Sequence, residues 1–132
     1  MRKLLLLAAA VAAAGLVVVA AGAATYRSID PVFFGHIAGC EDLGLTSTTE
    51  AKFVSPGNGA TDGRVHLLIG PTSVGWYVLQ NEDVEAVIVR GGVGPANVYR
   101  YPEGHFSDGG LTTPLQKGKP AALGYVTVCY TP

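Results

Sequence analysis

The stretch from Val84 to Tyr101 (VEAVIVRGGVGPANVYRY) constrains the fold more than any other part of the chain. From Val84 to Arg90 the residues are apolar at successive positions, and only Glu85 and Arg90 break the run. A strand sends alternate side chains to opposite faces, so a run that is apolar at both parities needs cover on both sides. That requirement places it in the middle of a sheet. The glycine-rich Gly91-Gly92-Val93-Gly94 then ends it, and Asn97 to Tyr101 resumes with alternating aromatics. Tyr99 and Tyr101 fall on one side of this second segment, with Val98 and Arg100 on the other. The expectation is a central strand, a loop and its partner strand.

The flanking segments repeat the same grammar. Thr46 to Val54 is rich in β-branched residues, and Gly57 to Gly63 is a loop by composition. Arg64 to Ile69 puts Val65, Leu67 and Ile69 on one face, and Val74 to Leu79 does the same with Val74, Trp76 and Val78. Gly70 to Ser73 and Asn81 to Asp83 carry turn chemistry between them. Leu123 to Tyr130 closes the series. Pro102 to Pro120, rich in Gly, Pro, Ser and Thr, is expected as a long loop. No segment holds an apolar stripe at helical spacing. Short strands about ten residues apart predict an all-β fold, a small β-sandwich or barrel-like pair of antiparallel sheets.

The N-terminus belongs to a different problem. Met1-Arg2-Lys3 followed by an uncharged run to Ala24 has the build of a signal peptide, with the small residues Ala21-Gly22-Ala23 suited to a peptidase. The alternative is an uncleaved anchor, against which stands the weak membrane partitioning of a run dominated by Ala and Gly. Residues 1–24 are therefore expected as a signal peptide, 25–39 as an arm or linker, and 40–132 as one domain. The chain after residue 24 carries seven basic and ten acidic side chains, a net charge of −3 with no basic cluster. Nucleic acid and polybasic membrane binding both need concentrated Lys and Arg, so neither is expected.

Two cysteines remain, Cys40 and Cys129. In an exported chain an even pair reads as a disulfide, here tying the start of the domain to its last strand. Closing so long a loop removes roughly 4–5 kcal/mol of unfolded-state entropy in the simple chain model. Ile37-Ala38-Gly39-Cys40 has the residue pattern of a lipoprotein cleavage box, but Tyr26, Arg27 and Asp30 separate it from the apolar run. Lipidation would also orphan Cys129.

The series AVIVRGG-x-G-x-ANVYRY, SD-x-GL and GYVTVCY resembles a family of bacterial secreted or cell-surface β modules. Those carry a valine-rich strand, Lys-Gly-Gly, an Asn-Tyr strand, Ser-Asp-Thr-Gly-Leu-His and a terminal Cys-Tyr. The resemblance covers about Val84 to Tyr130, with Cys40 as the opening cysteine, and it implies export and fold rather than an activity. Gly109 stands where the family has Thr, and Thr112 where it has His, so a role for that His does not carry over.

Several apparent sites dissolve on their chemistry. Gly91 to Gly94 is not a phosphate cradle, because Pro95 and a strand follow where a helix N-terminus is needed. Glu103, His105, Ser107 and Asp108 crowd one segment, yet neighbouring loop residues seldom converge as nucleophile, base and orienter. A calcium loop lacks spaced acids, and His36, His66 and His105 share no zinc spacing. No cofactor or metal is expected. What remains is aromatic: Tyr99, Arg100 and Tyr101 with Phe106 and Asp108 are the expected ligand-facing set, since flat rings beside polar groups hold sugars and peptides. The expected function is an exported, non-catalytic module, extracellular or in the cell envelope, that binds an envelope polysaccharide or protein. The alternatives are a small secreted hydrolase-like enzyme using Glu103 to Asp108, and an N-terminally anchored structural envelope protein.

Overall fold

The computed structural model describes residues 29–131 except Ser47 and Val93. The expected signal peptide lies outside the described residues. Ten short strands account for most of the rest: β1 Val32–Phe34, β2 Thr49–Val54, β3 Val65–Ile69, β4 Val74–Val78 and β5 Asp83–Arg90 come first. They are followed by β6 Ala96–His105, β7 Ser107–Leu111, β8 Leu115–Gln116, β9 Lys119–Pro120 and β10 Tyr125–Thr131. The one helical element described is a four-residue 3-10 turn, Cys40–Leu43. A five-stranded sheet runs β1-β6-β5-β10-β2, a three-stranded sheet runs β3-β4-β7, and β8 and β9 form a separate hairpin. Every pairing is antiparallel, and the sheets do not close into a barrel.

Strand β5 is the middle of the larger sheet, and both of its faces are covered as its residues demand. Val84, Val87 and Val89 point inward, into a core shared with Trp76, Val65, Leu67 and Leu111 of the smaller sheet. Ala86 and Ile88 point outward and lie under Ile37, Cys40 and Leu43. Val84 and Val87 share a face despite their odd spacing because the ladder slips between Val84 and Ala86, leaving Glu85 as an extra residue.

The outer cover is fastened by four links. The Cys40–Cys129 disulfide joins the 3-10 turn to β10 across a Cα–Cα distance of 5.8 Å and a separation of 89 residues. Arg90 Nη1 donates to the Ile37 carbonyl at 3.0 Å, and Arg100 Nη2 donates to the Leu43 carbonyl at 3.3 Å. Glu50 accepts from the Cys40 amide at 3.2 Å.

The sequence expectations fail in two stretches. Residues 32–34, within the expected arm, form the edge strand β1 against β6. Pro102 to Pro120 is not a loop: β6 runs on to His105, β7 follows at once, and β8 and β9 form a hairpin. Lys117 and Gly118, both at positive φ, make the two-residue turn between β8 and β9. Pro102 and Gly104 are tolerated because β6 bulges there, slipping from Arg100 to His105 while β5 advances from Ala86 to Val84.

Candidate functional site

The expected ligand-facing set divides between interior and surface. Tyr99 is fully buried and Tyr101 is 2% exposed, so neither offers a face to a ligand. Their parity on β6 points them at the smaller sheet, where they act as polar cross-links between the two layers. Tyr101 Oη donates to Asp108 Oδ2 at 2.7 Å and accepts from Trp76 Nε1 at 3.3 Å. The Trp76 and Tyr101 rings meet edge to face at 5.3 Å. Gly109 donates its amide to the other Asp108 oxygen at 2.9 Å. Tyr99 Oη accepts from the Thr112 amide at 2.9 Å and lies 3.3 Å from the Thr112 carbonyl, which also accepts from Asn97 Nδ2 at 3.0 Å. Burial, then the bond and charge of Asp108, push the Tyr101 phenol far above its ordinary pKa. These tyrosines hold the sandwich together.

Asp108 is buried for the same reason and is a partner of the core phenol, not a surface acid. Arg100 reaches the surface, but its guanidinium clamps the N-terminal cover at Leu43. Phe106 alone of the set projects freely, at 61% exposure. The hydrolase-like segment is likewise pulled apart. His105 stacks on Tyr101 at 5.1 Å with Nδ1 against the Gly104 carbonyl, Ser107 is exposed, and Asp108 points inward. Among the described residues no three His, Cys, Asp or Glu side chains are grouped to hold a metal. No helix among them is long and apolar enough to cross a membrane.

The surface presents other groups instead. Val65, Leu67, Val74 and Trp76 face the core, so the alternate residues of β3 and β4 face outward. There His66 and Tyr77 are opposite one another and stack at 4.9 Å with 14° between planes. Leu68 lies beside them, and Leu79, 45% exposed, continues the strip beyond Tyr77. Ser107 sits opposite Tyr77 on β7, and Phe106 is joined to this end through the Val78 amide, which donates to its carbonyl at 2.9 Å. The outward strip is thus two rings, two leucines and a hydroxyl, while the exposed Phe106 sits at the turn between β6 and β7, opposite the core-facing Val78.

A shallow cleft of about 110 Å³ opens at the other end of the sandwich, between the Gly70–Ser73 turn and residues 120–123, over Val74 and Leu111. Ligand pockets commonly span roughly 300–1,000 Å³, so this one fits a single small group at most. Sequence reasoning placed the ligand-facing set at Tyr99 and Tyr101 and left out His66 and Tyr77. The alternation of VHLLI and VGWYV marked the latter pair as outward-facing once the apolar face was assigned inward. Comparison of the chain with protein-family models, with characterised proteins and with solved structures found no match.

Proposed function

We propose that this chain is an exported, non-catalytic binding module that engages an envelope polysaccharide through the outward face of its three-stranded sheet. The observation that carries this reading is the aromatic strip itself, His66 stacked on Tyr77 with Leu79 exposed beyond it and Ser107 opposite. Sugar rings present apolar C–H faces edged by hydroxyls. Flat rings beside polar groups match both, burying apolar area while Ser107 and the phenol of Tyr77 bond to hydroxyls. Because His66, Tyr77 and Ser107 lie on paired strands, these side chains lose little entropy on binding. The disulfide supports the export half of the reading, since such bonds persist in oxidising compartments and are rare in the cytosol.

The test is retention of the purified protein on insoluble envelope polysaccharide. Tyr77→Ala and His66→Ala should each weaken retention by roughly tenfold or more, the usual cost of truncating an aromatic anchor. Both side chains are outside the core, so thermal stability should change little. Retention equal to the parent protein in both variants would overturn the assignment of the face.

A further inference from the structure

The opposite side of the sandwich holds a second, chemically different cluster. Tyr125 opens β10 and, half-buried, projects from the outer face of the five-stranded sheet. The guanidinium of Arg90, directly opposite on β5, lies 4.5 Å from the centre of its ring. The ammonium of Lys52, on β2, lies 5.0 Å from the same centre. These are the strands on either side of β10, so the phenol is flanked by cations from both neighbours. The separation of the two charges cannot exceed the sum of those distances.

Three features distinguish this cluster from ordinary surface lysine and arginine. Neither cation makes an ion pair among the described residues, where Arg64 with Glu82 is the pair observed. Glu50, the acid on the same face of β2, is turned away to cap the Cys40 amide. Arg90 spends one nitrogen on the Ile37 carbonyl, while its Nε is buried with no hydrogen-bond partner. The chain as a whole is acidic, so two unneutralised cations held on one ring are a local reversal of its charge. Attraction to the ring face fixes both long side chains before any ligand arrives, which removes part of the entropy that flexible cations otherwise lose on binding. An incoming anion would relieve the repulsion between them, and the Tyr125 hydroxyl adds a donor.

We propose that Lys52, Arg90 and Tyr125 form an anion site that takes the carboxylate or phosphate groups of an acidic polysaccharide. It lies on the other sheet from the aromatic strip and does not depend on that strip's assignment. A protein with both sites would read a sugar surface on one side and its charge on the other.

Isothermal titration of the disulfide-bonded protein against three soluble probes tests this: an oligogalacturonate, an oligo(glycerol phosphate) and a neutral xylo-oligosaccharide. The oligogalacturonate, the oligo(glycerol phosphate) or both should bind, and raising the salt from low to physiological strength should weaken that binding by about tenfold. Lys52→Gln, an exposed change, should reduce anion affinity about fivefold or more without altering the melting temperature. Arg90→Lys, which keeps the charge but loses the planar fork, should fall between them. Which of the two anionic probes binds identifies the source of the charge. If neither does, or if Lys52→Gln binds them as tightly as the parent, the site is refuted. Tyr77→Ala should leave anion affinity intact, so failure of the strip and failure of this site give different results.

Discussion

Replacing Tyr101 by Phe isolates the cross-link between the sheets. The substitution keeps the ring, its edge-to-face contact with Trp76 and nearly all of its buried area, and removes one hydroxyl. That hydroxyl donates to a carboxylate at 2.7 Å and accepts from an indole N–H at 3.3 Å. Hydrogen bonds to charged groups contribute about 1.5–3 kcal/mol, and a longer neutral bond adds about 0.5–1 kcal/mol. Asp108 would keep the Gly109 amide on Oδ1 and lose the Tyr101 bond on Oδ2. The expected loss is therefore about 2–4 kcal/mol, a fall in melting temperature of roughly 10–25 °C for a domain of this size. Urea unfolding followed by the fluorescence of Trp76, the chain's one tryptophan, measures it directly. A double-mutant cycle with Asp108→Asn should give a coupling of about 1 kcal/mol or more, as expected of residues in contact. Retention on polysaccharide by the folded fraction should be unchanged. A stability loss below about 0.5 kcal/mol, within the range of an ordinary surface substitution, would refute the assignment of Tyr101 to the load between the sheets.

The same phenol sets an alkaline limit. Tyr101 keeps its proton in the folded protein well above the ordinary tyrosine value near 10, whereas the unfolded chain releases it there. The folded state then binds more protons, so this contribution is complete below about pH 10 and is lost above it at about 1.4 kcal/mol per pH unit. Alkaline unfolding of Tyr101→Phe should show a shallower pH slope than that of the parent. Cys40→Ala with Cys129→Ala should cost about 3–5 kcal/mol by releasing an 89-residue loop, and hydrogen exchange should rise first at residues 38–45. Gly124→Ala should destabilise by about 3 kcal/mol or more, because its Cβ would collide with the Gly91 carbonyl and lie 2.9 Å from Gly92 Cα, both backbone atoms.

The fold was legible where apolar pattern and burial coincide. Val84 to Arg90 reads as a central strand because both parities are apolar, and the structure supplies a separate cover for each face. Val74, Trp76 and Val78 were assignable to one face by the same rule. The period of two could not say which face of β6 was inside, since Tyr99 with Tyr101 and Val98 with Arg100 both mix apolar area and polar tips. The answer depends on β7, whose sequence SDGGL has poor strand propensity and is recruited by Asp108 and Leu111 meeting the core. β1 was hidden because three residues carry too little pattern. The cation pair on Tyr125 joins residues from three strands far apart in sequence, so only the sheet order reveals it.

The most direct test of the binding reading is chemical-shift mapping of the ¹⁵N-labelled protein during titration with neutral oligosaccharides released from envelope polysaccharide. Binding through the outward strip should give saturable shifts confined to the amides of His66, Tyr77, Leu79 and Ser107, with β6 and the core network undisturbed. Saturable shifts centred on β1 or on the N-terminal cover, or no shifts at all, would contradict it.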